Sequence, residues 1–110
     1  MTSEFIKFGK NLVSKEELLT SGHRACLGCG SAVTIRLALK ALGPSSVVCT
    51  PAGCWSVVGD IFPHTAWQVP WMQTLFENAA ATISGMESGF EILMSAGDVA
   101  NMSEINLFGF

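Results

Sequence analysis

The sequence predicts an α/β fold, and three stretches carry that expectation. SAVTIRLALKALGP reads as a helix, SVVCT as a buried strand, and the residues from Thr74 onward as a second long helix. Helix, strand and helix of these lengths stack into helix-on-sheet layers. At 110 residues the chain has the size of one domain at most.

Taken in order, Ser14-Lys15-Glu16-Glu17 matches a capping box, Ser/Thr-x-x-Glu, and predicts a short helix ending near Thr20. A cysteine loop follows. The next helix, about Ser31 to Leu42, has apolar residues at Val33, Ile35, Leu37, Leu39 and Leu42, and Gly43-Pro44 stops it. Ser46 to Thr50 is short, β-branched and apolar, as a buried strand is, and Pro51 and Gly53 break it. WSVVGDIFPHTAWQVPW, residues 55–71, reads as a loop rich in aromatics and prolines.

A helix from about Thr74 to Gly89 comes next. On it Ala81, Gly85 and Gly89 fall four apart, beside Ala80, Ser84 and Ser88, so small residues line one face. Each Gly costs about 1 kcal/mol relative to Ala inside a helix. Close approach of a neighbouring helix or subunit offsets that cost; the rival expectation is a weak helix that ends early.

Composition excludes several classes. With 49% hydrophobic and 14% charged residues the chain is too apolar for disorder. A short chain also buries a small share of its surface, so apolar surface is expected to meet a partner. A net charge of −3 with six scattered basic residues leaves no nucleic-acid footprint. Charges at Glu4, Lys7, Lys10, Lys15, Glu16 and Glu17 interrupt any apolar leader, and Glu77, Asn78, Glu87 and Glu91 rule out a membrane span over Thr74–Met94. The expected location is cytoplasmic, where four cysteines point to metal or redox chemistry before structural disulfides.

The cysteines read Cys26-x2-Cys29, nineteen residues, Cys49, four residues, Cys54. A helix runs antiparallel to the strand that follows it in such folds. The helix from Ser31 is about 18 Å long and the strand from Ser46 about 16 Å. The Cys26–Cys29 loop and the Cys54 loop should therefore meet at the carboxyl edge of the sheet, where open α/β folds bind ligands.

Several chemistries compete for this set. Zinc expects a second Cys-x2-Cys pair; the gap fits, but the second pair is too wide and Cys49 sits in an apolar strand. A thioredoxin-like redox pair follows a strand directly, and His23-Arg24-Ala25 is no convincing strand end. An iron–sulfur cluster takes thiolates from short loops in which glycines let backbone N–H groups approach sulfur, as Gly28, Gly30 and Gly53 do. A helix N-terminus beside Cys29 would stabilise anionic thiolates. The bland alternative, buried core cysteines, suits Cys49. On chemistry, iron–sulfur leads.

GHRACLGCGSAVTIRLALKALGP, then GCW, then HTAWQVPWMQTLFENAAATISGMESGF resembles the β subunit of 2-oxoacid:ferredoxin oxidoreductases, most of all of pyruvate:ferredoxin oxidoreductase (pyruvate synthase). The resemblance covers roughly residues 14–90, with all three blocks in family order. It implies a thiamine-diphosphate-binding α/β fold, a parallel sheet flanked by helices. Residues 1–110 would be its N-terminal part, incomplete or truncated, with 91–110 a divergent tail.

It further implies a [4Fe–4S] cluster held by Cys26, Cys29 and Cys54, with a fourth ligand beyond residue 110 and Cys49 left to the core. Thiamine diphosphate and Mg²⁺ would bind at a GDGGT motif. Ala96-Gly97-Asp98 echoes that motif, but Val99 replaces its second Gly, and Asn101 and Asn106 are too close to stand for the family's distant Asn. Asp98 is thus a candidate Mg²⁺ ligand and cofactor contact. His64, in the PHTAW loop, is a candidate for the cofactor pocket, against a plain structural role. Trp67, Trp71 and Phe76 are expected to pack the loop and a subunit interface, and Glu77-Asn78 to cap the following helix or touch a partner subunit.

The implied function is oxidative decarboxylation of pyruvate or another 2-oxoacid to acyl-coenzyme A and CO₂, with electrons passed through the cluster to ferredoxin. The implied partners are α-, γ- and δ-type subunits, ferredoxin, the 2-oxoacid and coenzyme A, with no nucleic acid and no membrane. The rival readings are a module that binds zinc or a labile cluster through its cysteines, and an inactive truncated fragment. No residue here reads the side chain of the 2-oxoacid.

Overall fold

A computed structural model of the chain describes residues 13–61, 63–97 and 105–110. In chain order the elements are α1 (Gly30–Leu42), β1 (Ser46–Pro51), α2 (Cys54–Val58), β2 (Asp60–Ile61), β3 (His64–Thr65), β4 (Trp71–Thr74), α3 (Ala79–Ala96) and β5 (Asn106–Gly109). The sheet grows outward from β1, which has a parallel neighbour on each side in the order β4-β1-β5. Val48 to Pro51 pair with Trp71 to Thr74, and Ser46 to Cys49 pair with Asn106 to Gly109. The expected α/β class, a parallel sheet flanked by helices, is what forms.

A central parallel strand loses solvent on both faces, which explains the apolar run Val47-Val48-Cys49. Val48 and Leu39 are both 0% exposed and join α1 to the sheet. Along α1 only the Ile35–Leu39 line enters the core, while Val33 and Leu37 stand more than half exposed. Of the five apolar positions that marked the helix, burial thus selects those at i and i+4. The helix ends as its sequence demands. Gly43 has φ 80°, a conformation a Cβ disfavours, and its N–H donates to Leu39 O at 2.9 Å. On the other side α3 lies against β5 and β1, so closely that a methyl added at Gly109 would stand 2.5 Å from Ile83 Cδ1.

Three local expectations are corrected. Ser14–Thr20 is not a helix. Ser14 Oγ accepts from Glu16 N–H at 3.2 Å, and the Lys40 ammonium donates to Ser14 O (2.8 Å) and Glu16 O (3.0 Å), taking up carbonyls that a helix would use itself. Residues 18–20 instead run beside 66–68, with Leu19 bridged to Trp67, Thr20 N–H on Ala66 O and Gln68 N–H on Leu18 O. The aromatic loop is not bare coil, since α2, the β2–β3 hairpin and the start of β4 lie within it.

The long helix starts at Ala79 and runs to Ala96, where Gly97 caps it through Leu93 O and Met94 O. Thr74 belongs to β4, because the open edge of β1 takes up residues 71–74 as a strand. The helix therefore does not end early. Its small-residue stripe has no neighbour among the described residues, for methyls added at Gly85 and Gly89 would meet nothing within 4 Å. None of the helices is long and apolar enough to cross a membrane, among the described residues.

Two measurements test this account. Leu39→Ala should lower the unfolding free energy by about 2–5 kcal/mol, against about 0.5 kcal/mol or less for exposed Leu37→Ala, in parallel urea titrations. The second concerns Glu17, whose carboxylate takes Arg36 Nε at 2.6 Å and Lys40 Nζ at 2.8 Å. Hydrogen bonds from Arg36, then from Lys40, hold its pKa down from 4.5 to about 2. A folded-state pKa below the unfolded one gives stability that is present above about pH 4.5 and lost as pH falls through 2. Glu17→Gln should flatten that part of the acid-unfolding curve in far-UV circular dichroism, and salt should shrink the difference because the pair is exposed.

Candidate metal centre

Residues 26–29, Cys-Leu-Gly-Cys, form a closed turn at the head of α1. Cys29 N–H donates back to Cys26 O at 3.1 Å, and Gly28 makes the turn possible with φ 72°. Cys29 is itself the N-cap residue of α1. No side chain caps the helix, and its first intrahelical bond runs from Val33 N–H to Cys29 O. The N–H groups of Gly30, Ser31 and Ala32 therefore have no intrahelical acceptor and face the side where the thiols sit in sequence. Partial positive charge at such a terminus favours anionic sulfur. Cys26 is exposed and Cys29 half-buried, both as free thiols.

Cys54 opens α2, a single turn too short to persist alone. Two features hold it. Gly53 N–H donates to Ser56 Oγ (3.1 Å) while the Ser56 hydroxyl donates to Gly53 O (2.6 Å), and Trp55 buries its ring in the core. The segment leading into the first cysteine loop meets the helix that Cys54 opens. Arg24 N–H donates to Val58 O at 2.9 Å, and the His23 ring meets Trp55 edge-on at 5.5 Å. Cys54 is exposed, as Cys26 is.

The three sulfurs are not drawn together into a finished site. Among the described residues no group of three or more His, Cys, Asp or Glu side chains stands placed to hold a metal ion. The donor chemistry of the Cys26–Cys29 turn fits an iron–sulfur cluster, and Cys54 flanks it without joining it. Cys49 takes the core position expected of it. It is 1% exposed, with Sγ 3.9 Å from Thr74 Oγ1.

Among the described residues no group of three or more His, Cys, Asp or Glu side chains offers itself to Mg²⁺ either. His64 lies exposed on β3, paired with Ile61, at the rim of a pocket of about 260 Å³ that Arg24, Gly59 and Thr65 also line. Asp98 lies outside the described residues.

Of the remaining candidates, Trp67 and Trp71 stack on each other inside the chain, while Phe76 is 74% exposed. Asn78 is the N-cap residue of α3 but makes no side-chain capping bond. Sequence reasoning missed His23 and Trp55 as the link between the cysteine loops. The available signal was position: His23 lies three residues before Cys26 and Trp55 one after Cys54.

In the reduced, metal-free chain, brief alkylation should modify Cys26 and Cys54 and reach Cys49 only on unfolding, read by peptide mass spectrometry. Equal rates at Cys49 and Cys26 would contradict these placements.

No protein-family model matches the chain. It is 49% identical over 75 residues to pyruvate synthase subunit PorB of Methanothermobacter marburgensis, over 68% of this chain and 26% of that subunit. The PorB subunit of Thermotoga maritima is 41% identical over 88 residues, 77% of this chain and 27% of its own length. Ketoisovalerate oxidoreductase subunit VorB of Pyrococcus horikoshii is 37% identical over 78 residues, 71% of this chain and 25% of its own. The chain thus spans about a quarter of the length of these curated relatives. By sequence it is recognised as similar to the N-terminal part of pyruvate synthase subunit PorB, an enzyme subunit.

Proposed function

We propose that this chain is the cysteine-bearing N-terminal part of a 2-oxoacid:ferredoxin oxidoreductase β subunit of the pyruvate synthase kind. Its role is to hold a [4Fe–4S] cluster through Cys26, Cys29 and Cys54, with a fourth ligand from outside these residues. One observation carries the reading: the Cys-Leu-Gly-Cys turn closes at an uncapped helix N-terminus, in a chain 49% identical to PorB over 75 residues. Bound there, the cluster would supply one-electron transfer in the oxidation of the 2-oxoacid to acyl-coenzyme A and CO₂, toward ferredoxin.

The chain's own contribution is positional. The turn fixes two thiolates three residues apart, Gly28 keeps the loop backbone free of a side chain, and the first-turn N–H groups of α1 offset the negative charge gathered there. Cys54, the first residue of a one-turn helix, presents an exposed thiol as the third ligand. His64 and Asp98 enter this proposal as contacts for thiamine diphosphate and Mg²⁺ on the resemblance alone.

Assembly with α-, γ- and δ-type subunits accounts for apolar side chains left in water. Leu27, Leu75, Phe76 and Ile92 are each at least 67% exposed, and α3 has no buried residue. A reducing cytoplasm suits free thiols.

Anaerobic reconstitution with iron and sulfide, followed by metal and sulfide analysis, tests the proposal. Iron and sulfide should bind in near-equal amounts with a charge-transfer absorption band, and Cys26→Ser or Cys29→Ser should abolish both, whereas Cys49→Ser should not. Zinc bound without sulfide would replace the cluster by the zinc-module reading. No bound metal, in a chain folded by circular dichroism, would sink both.

A further inference from the structure

The chain has three tryptophans and no tyrosine, and all three tryptophans stand in one contiguous file. Trp71 and Trp67 are stacked at 5.9 Å with 8° between their planes, and Trp55 meets Trp67 edge-on at 6.0 Å. His23 extends the file, 5.5 Å from Trp55. One end therefore lies next in sequence to both cysteine loops, for Trp55 follows Cys54 and His23 precedes Cys26 by three residues. The other end, Trp71, is half-buried on β4.

Packing alone explains buried rings, but it does not explain the polar atoms. Trp55 and Trp67 are at least nine-tenths buried, yet neither Nε1–H has an acceptor among the described residues. Buried indole N–H groups ordinarily find one. Trp71, by contrast, donates its Nε1–H to Thr50 Oγ1 at 2.9 Å.

We propose that Trp71, Trp67 and Trp55 form a one-electron relay between the β4 face of the sheet and the cysteine loops. Indole is among the most easily oxidised side chains, and electronic coupling between rings falls exponentially with separation, so rings in near contact exchange an electron readily. The step begins when Trp71 gives one electron to an external one-electron oxidant. Trp67 refills Trp71, and Trp55 refills Trp67. The oxidant gains one electron, the file loses one, and no bond forms or breaks. Because Nε1 of Trp67 and of Trp55 has no acceptor for its proton among the described residues, the oxidised ring keeps it and stays a radical cation. The relay uses only this chain's own side chains, so it goes beyond the cluster proposal and stands or falls without it.

Flash photolysis of the full metal-free chain with photogenerated tris(bipyridine)ruthenium(III) tests the relay. The unmodified chain should show a long-lived protonated tryptophan radical cation. Trp67→Phe should leave only a short-lived radical on Trp71, whose Nε1–H, unlike those of Trp67 and Trp55, already has an acceptor in Thr50 Oγ1. Trp71→Phe, at the sheet edge, should suppress radical formation altogether, and it covers the case in which Trp67→Phe does not fold. Identical spectra and lifetimes in the unmodified chain and Trp67→Phe would overturn the proposal, as would an undiminished radical yield in Trp71→Phe. A purely neutral radical in the unmodified chain would do the same. The absence of tyrosine removes the competing radical from every trace.

Discussion

The burial of Leu39 and Val48 in one core cluster is the constraint from which the rest follows. Both side chains are fully buried, and they bind the one helix that precedes the sheet to the strand at its centre. Since Gly43, Pro44 and Ser45 are all that separate α1 from β1, the helix must run back along the strand, with its head at the strand's carboxyl end. The Cys26–Cys29 turn closes at that head, and the chain leaves Pro51 toward Cys54 at the same end. The cysteine loops share an edge of the molecule because a three-residue connection turns α1 back along β1.

The second tier of organisation is polar and works from α1. Lys40 reaches over to the carbonyls of Ser14 and Glu16 and to the carboxylate of Glu17, which Arg36 also grips. Individually such exposed pairs contribute little. Their effect here is conformational, since they fasten an extended segment against α1 and let Leu18 and Leu19 enter the core beside Trp67. That segment leads directly into His23, so a lysine in the last turn of α1 helps to aim the approach to the cysteine turn.

Much of this was legible in the sequence wherever local signals and packing agreed. The α1 and β1 boundaries followed from a Gly-Pro stop and a β-branched run, because both signals act within a few residues. The core place of Cys49 followed from its apolar neighbours. Legibility failed where a distant group outbid a local one. Ser14–Glu17 has the spelling of a helix start, yet Lys40, more than twenty residues on, claims its carbonyls. Thr74 looked like part of a helix because strand pairing with Pro51 leaves no periodic trace in four residues. At the candidate metal centre the Cys-x2-Cys turn was readable from its spacing and glycines. The bridge through His23 and Trp55 was not, since ring-to-ring contacts between separate segments leave no spacing to read.

The order of strands carries a consequence for synthesis. The middle strand, β1, emerges before either of its neighbours. Its first partner, β4, begins at Trp71, while Asn106, the partner of Ser46, comes sixty residues after it. Until then one row of its backbone N–H and C=O groups stays open on an apolar strand, the kind of edge that pairs with whatever strand it meets first. Closure by pairing so distant in sequence is slow by nature. On the ribosome, therefore, the interval between Ser46 and Asn106 is when this chain most needs to be kept apart from its own copies.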